Sequence, residues 1–195
     1  MKNKNKYDVI VVGSGHAGCE AALASARIGC KTILFTINID NSALMPCNPA
    51  IGGPAKGQIV GEIDALGGKM GMVADKTHIQ MKVLNRSRGQ AVQCLRSQND
   101  KHEYSKHMLL ELEQQSNLDI RQAMIDELIV ENQKVIGVIT DLKKREYAKT
   151  VVLTTGTFLN GKVFTGMESF SAGRQGEFSA NKLSQSISKH LRVGR

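Results

Sequence analysis

Three glycines near the start of the chain, Gly13, Gly15 and Gly18, stand at GxGxxG spacing, the pattern that holds the pyrophosphate of a dinucleotide. Each has a mechanical role. Gly13 turns the chain sharply, Gly15 lets the backbone approach a phosphate, and Gly18 lets the following helix lie close to the strand. The apolar run Val9 to Val12 precedes the loop as a buried strand, and the helix formers Glu20-Ala21-Ala22-Leu23-Ala24 follow it. A phosphate would then meet the free N–H groups and partial positive charge of a helix start. The site so defined comprises Gly13, Ser14, Gly15, His16, Ala17 and Gly18. A dinucleotide site normally places Asp or Glu about 20 residues further on, against the ribose hydroxyls. Here Thr36 ends the second apolar run, with Asn38 and Asp40 just after it, so a hydroxyl, an amide or backbone must hold the ribose.

Other chemistry is more thinly spread. The four cysteines, Cys19, Cys30, Cys47 and Cys94, form no CxxC pair and no zinc spacing, which argues against a disulfide framework or a structural metal and for reduced thiols in a cytoplasm. Cys19 and Cys30 flank the first helix and read as packing residues. Of the histidines, His16 lies within the phosphate loop, whereas His78, His102, His107 and His190 lack ligand spacing, and no metal is expected. The 195 residues carry a formal charge of +8. Most of that excess lies between Lys76 and His107, where Lys76, Lys82, Arg86, Arg88, Arg96, Lys101 and Lys106 face only Asp100 and Glu103. The stretch Lys82 to Arg96 reads as a phosphate-binding surface, with Arg86, Arg88 and Arg96 as candidates, or as a solvated basic face. Few aromatic residues interleave the charges, so base stacking is not supported.

These residues need elements to position them. Lys31 to Thr36 forms a second strand and completes a βαβ unit. Residues 37 to 57 are too rich in Pro, Gly and Asn for regular structure and read as a long functional loop. Gly57 to Gly67 has Ile59, Val60, Ile63 and Leu66 at helical spacing. His78 to Asn85 alternates as a strand would, Ser87 to Ser97 has no clear period, and Asn99 to Gln115 reads as a helix. Short strands at Leu118 to Gln122, Leu128 to Glu131, Val135 to Thr140 and Thr150 to Thr154 suggest a β-meander attached to a parallel sheet. Val151 to Gly156 repeats the opening device, an apolar strand ending in glycine, and would bring Thr155 and Gly156 beside the nucleotide. Gly161, Gly166, Gly173 and Gly176 make the next segment loop-like, and Ser179 to Leu191 is a final helix. The fold class is α/β, Rossmann-like, with an inserted meander. MKNKNK followed by an apolar run imitates a secretory signal, but Asp8 and the glycine turn interrupt it, and no run reaches membrane-spanning length.

The pieces GSGHAGCEAA, CNPAIGG with the Lys-Gly after it, EIDALGG, LNRSRGQAV and VVLTTGTFLNGKVFTG occur in the order of the flavin-dependent tRNA wobble-uridine modification enzymes, the MnmG or GidA family, which the chain resembles throughout. The resemblance implies a glutathione-reductase-type FAD-binding domain. It also implies addition of a carboxymethylaminomethyl group at C5 of uridine, using methylenetetrahydrofolate, reduced flavin with NADH as cosubstrate, and ammonium or glycine. Partners implied are tRNA, a second copy in a homodimer, and the tRNA-modification GTPase MnmE in a heterotetramer, with no membrane. Residues 1–195 would be the N-terminal portion of the FAD/NAD(P)-binding domain, incomplete relative to the family and without its later flavin contacts and helical region.

Carried over by position, Gly13 to Gly18 resemble the FAD pyrophosphate loop and Ile125 the position whose backbone meets the adenine. Ala180 stands at a flavin contact where many members have Ser, and Gln90 where members often have Pro. Cys47, followed by Asn48-Pro49 in a polar glycine-rich loop, resembles a cysteine that the family needs for activity. Its thiolate would handle a proton or a transient covalent bond, with helix N-termini or Lys56 to favour ionisation. The alternative is a small packed hydrophobe. Two other readings stay open: the related folate-dependent flavoprotein that methylates a different tRNA uridine, less well matched by CNPAIGG, and a non-catalytic dinucleotide-binding remnant.

Overall fold

The computed structural model describes residues 6–174 and 176–194. In chain order the elements are β1 (Tyr7–Val12), α1 (His16–Arg27), β2 (Thr32–Thr36), β3 (Ala50–Gly52), α2 (Lys56–Ala65), α3 (Met70–Thr77), β4 (His78–Leu84), β5 (Cys94–Asn99), α4 (Lys101–Gln114), β6 (Leu118–Gln122), β7 (Ile125–Glu131), β8 (Lys134–Thr140), β9 (Arg145–Leu153), β10 (Lys162–Thr165), β11 (Glu168–Ser171) and α5 (Asn181–Ser188).

The main sheet has the order β6-β2-β1-β9-β8-β7. β1 lies at its centre, parallel to both β2 and β9, and β6 extends the parallel part beyond β2. Central parallel strands are covered on both faces, which explains the continuous apolar runs. Val11 and Leu34 point into a core shared with α1 and α4, whereas Ile10, Val12, Ile33 and Phe35 point into one shared with α5. α1 lies close to the sheet on Gly18, Cys19, Ala22, Leu23 and Ala26. It stops at Gly29, whose φ of 94° and N–H bond to Ala26 O, 3.0 Å, close the last turn. α4 starts at Asp100, whose side chain accepts from the N–H groups of His102 and Glu103. That bonding holds the Asp100 carboxyl below its ordinary range.

The meander and the parallel sheet are one sheet joined through β9. Arg145 to Tyr147 pair with β8, and Ala148 to Leu153 pair with β1. The strand expected to start at Thr150 therefore starts five residues earlier, through a charged stretch. Glu146 is nearly buried there and is neutralised by Arg121 and Lys144, so charge does not bar a strand.

A second sheet, β3-β5-β4, is antiparallel and departs from the expectation for these segments. The stretch 37–57, expected to be irregular, contributes β3. The stretch 87–97, without a clear period, contributes a 3-10 turn at Gln90–Val92 and most of β5. α3 is a further helix that the periodicity did not announce. Helix α2 forms as expected, yet its apolar stripe is not buried: Ile59 is 56% exposed and Leu66 82%, and only Val60 packs against the core. The glycine-rich segment after Asn160 contains the β10–β11 hairpin, turned at Gly166 with φ 59°. No helix among the described residues is long and apolar enough to cross a membrane.

Candidate functional site

A cavity of about 350 Å³ opens where β1, β2 and β9 end above the start of α1. Strand ends at a helix N-terminus are where open α/β sheets bind ligands. Gly13, Ser14, Gly15 and His16 line it from the phosphate loop, Thr36 from the end of β2, and Thr155 and Gly156 from beyond β9. Ile125 and Ala180 line it as well. The expected residues are thus gathered in one place, apart from Ala17 and Gly18. Ala17 is exposed and Gly18 is buried, and neither lines the cavity.

The glycines divide the work. Gly13 has φ 101°, a conformation that disfavours any side chain. A Cβ at Gly18 would lie 1.7 Å from Gly13 O, so Gly18 holds the loop against α1. A Cβ at Gly15 would meet nothing within 4 Å. This position is open, it lines the cavity, and the helix start behind it has neither a side-chain cap nor an acidic residue in its first turn. Such a cradle accepts a pyrophosphate on backbone N–H groups, so the residues present fit a dinucleotide cofactor.

The ribose-side positions differ from expectation. Thr36 donates its hydroxyl to Asn38 O at 3.0 Å and accepts from Ser14 Oγ at 2.7 Å. Its hydroxyl therefore braces the phosphate loop against β2. Asn38 lines the same cavity, with Oδ1 accepting from Asp40 N at 3.0 Å. Ala180 offers only a methyl group: its N–H donates to Phe158 O at 2.8 Å, and its C=O accepts from Ser184 N. Glu177 and Arg174, which no sequence pattern singled out, pair at 2.5 Å in the cavity wall, with Glu177 also accepting from Asn41. A charged pair three residues apart carries no periodic signal.

His16 sits at the first position of α1 with its ring 5.5 Å from that of Tyr104. Its Nε2 and the Tyr104 hydroxyl are buried without partners. Burial pushes the His16 pKa down, so the imidazole is neutral near pH 7.

Cys47 lies outside this cavity. It borders a second one of about 600 Å³, with Lys56, Arg96 and the turn Gly52-Gly53. His16, Leu44 and Pro46 line both cavities and form the wall between them. The loop carrying Cys47 is pinned at both ends: Ala43 N donates to Ser14 O at 2.8 Å, and Asn99 N donates to Pro49 O at 2.7 Å. Between these anchors Cys47 is exposed. Cys19 is the packed one, donating to Ser14 O at 3.2 Å, and burial pushes its thiol up to about 12. Arg96 reaches the second cavity, whereas Arg86 and Arg88 stand exposed on the turn between β4 and β5. Among the described residues there is no cluster of three or more potential metal ligands.

Residues 8–194 match the family described as glucose inhibited division protein A. The chain is 55% identical over 185 residues to a tRNA uridine 5-carboxymethylaminomethyl modification enzyme MnmG of Lactobacillus delbrueckii subsp. bulgaricus, covering 95% of this chain and 29% of that protein. It is 54% identical to the enzyme of the same name from Thermodesulfovibrio yellowstonii, covering 100% of this chain and 31% of that one. The crystal structure of Aquifex aeolicus GidA superposes with a TM-score of 0.91 at 48% identity, over 97% of this chain and 31% of that one. The chain thus spans about three tenths of the length of the relatives it matches.

Proposed function

The chain belongs to the GidA family, and from that premise we propose that it is the N-terminal portion of the flavin-binding domain of an enzyme that modifies the wobble uridine of tRNA. Its cofactor is FAD, held in the first cavity. The observation that carries this reading is the open position at Gly15 above an uncapped helix start, in the wall of a cavity that adjoins an exposed thiol.

Gly13 to His16 would hold the pyrophosphate, the backbone at Ile125 would meet the adenine, and Thr155, Gly156 and Ala180 would border the remainder of the cofactor. FAD held there would supply the reducing equivalents, with NADH as the source that replenishes them. Cys47, across the wall formed by His16, Leu44 and Pro46, manages a proton or a transient bond to the uridine while C5 receives the carboxymethylaminomethyl group. The carbon comes from methylenetetrahydrofolate and the nitrogen from ammonium or glycine. Arg86 and Arg88, exposed on a turn, meet tRNA phosphates. In the whole protein the family's homodimer and its heterotetramer with the modification GTPase complete the site.

Two measurements test this. Full-length protein titrated with FAD should develop a bound-flavin spectrum; no binding removes the cofactor assignment. Cells lacking the gene should lose the modified wobble uridine on nucleoside mass spectrometry, and full-length protein carrying C47S should fail to restore it while still binding FAD. Restoration by C47S would dispose of the chemical role.

A further inference from the structure

The second cavity carries a feature that the cofactor does not explain. Its lining contains Lys56 and Arg96 and no carboxylate. In the ladder of the small sheet, Arg96 lies opposite Lys82 on one side and Gly52 on the other. Directly paired residues of antiparallel strands share a face, so Lys82 and Arg96 stand side by side, and like charges so placed oppose folding. No acid relieves them: none of the ion pairs among the described residues involves Lys56, Lys82 or Arg96. The whole segment from His78 to Asn99 contains Lys82, Arg86, Arg88 and Arg96 and no Asp or Glu. The line of charge starts at the exposed turn and runs down the hairpin into the cavity that Cys47 borders.

We propose that Arg96, with Lys82 beside it and Lys56 in the lining of the same cavity, forms an anion subsite that holds the phosphate of a nucleotide whose base is turned into the second cavity toward Cys47. A guanidinium fork matches phosphate oxygens in a bidentate manner. A row of cations leading to the cavity mouth fits a polyanion entering from the surface better than a small acid diffusing in. A base must leave its stack to meet a side chain in a cavity, and a clamp on its phosphate fixes the extruded nucleotide. The assignment rests on the proposed tRNA reading and makes Arg96 a positioning residue for that substrate.

The probe is alkylation of Cys47 by iodoacetamide, followed peptide by peptide in the presence of uridine 5′-monophosphate, uridine or folic acid. Uridine 5′-monophosphate is expected to slow alkylation of Cys47, uridine to do so far less, and R96M to weaken the nucleotide's protection about tenfold, the loss of one charge-assisted contact. FAD binding and thermal unfolding report whether R96M is folded; should it not be, R96K and K82M carry the same test and are expected to weaken protection. Equal protection by uridine and its monophosphate, undiminished protection in the variants, or protection by folic acid alone would overturn the assignment. Because the readout needs neither flavin nor turnover, failure of the FAD or tRNA reading would appear separately, in the spectrum and in the nucleoside assay.

Discussion

Gly15 and Gly18 differ by three positions in one motif, and the structure predicts opposite phenotypes for the same substitution. In Gly18→Ala the new methyl would lie 1.7 Å from Gly13 O, 2.7 Å from Thr154 Oγ1 and 2.8 Å from Gly13 C. Two of these atoms are backbone, and Thr154 Oγ1 is fixed by bonds to Val12 O and Gly13 O, so α1 must move off the strand. Overpacking of this kind costs about 1–3 kcal/mol, partly offset by the better helix propensity of Ala. The 1.7 Å approach puts the cost at the upper end of that range, so a net loss of about 2 kcal/mol, at roughly 2–4 °C of Tm per kcal/mol for this chain length, makes G18A melt about 4–8 °C below the parent. In Gly15→Ala the methyl meets nothing within 4 Å, and the backbone, at φ −66° and ψ 177°, suits any residue. The poorer capping by Ala and the reduced freedom of the unfolded chain oppose each other, leaving Tm within about 3 °C. That methyl instead occupies the space needed by a pyrophosphate, and FAD affinity should fall at least about tenfold. Thermal unfolding by circular dichroism and FAD titration by flavin fluorescence separate the two effects. G15A binding FAD as the parent does would refute the cradle, and an unchanged Tm in G18A would refute the packing role.

Three further outcomes follow from particular contacts. The His16 pKa is lowered by burial, so on acidification the unfolded chain takes up a proton near pH 6.5 before the folded one does; stability should fall as pH drops below about 6.5, and urea midpoints at pH 7.5 and 5.5 should differ less in His16→Asn. Thr36→Val leaves the buried Ser14 hydroxyl without its acceptor, which should cost about 1–3 kcal/mol in denaturant melts, whereas Asn38→Ala should weaken FAD binding more than it lowers stability. Glu20 accepts from Lys69 N at 2.8 Å and Met70 N at 2.6 Å at the start of α3; Glu20→Ala should lose about 1 kcal/mol, read as a Tm lower by about 2–4 °C, and an unchanged melt would show that this cap contributes nothing.

The βαβ start of the chain was legible from residues alone because its determinants are local. Glycine spacing, the run Val9 to Val12 and the small residues of α1 act within one turn or strand of each other, and they announce a strand, a phosphate loop and a helix before any partner is known. The resemblance of the CNPAIGG stretch added a family that spacing does not supply. What the tertiary structure decided were facts of pairing and occupancy. Arg145 to Tyr147 became strand because Arg121, from an edge strand, and Lys144 neutralise Glu146. Thr36 braces the phosphate loop as well as lining the cavity because Ser14, 22 residues earlier, donates to its hydroxyl. Arg96 parted from Arg86 and Arg88 because antiparallel pairing set it beside Lys82 and in the wall that also holds Cys47. A side chain's free hydrogen-bonding capacity and its cross-strand neighbour are properties of the register between distant segments, and no local pattern encodes them.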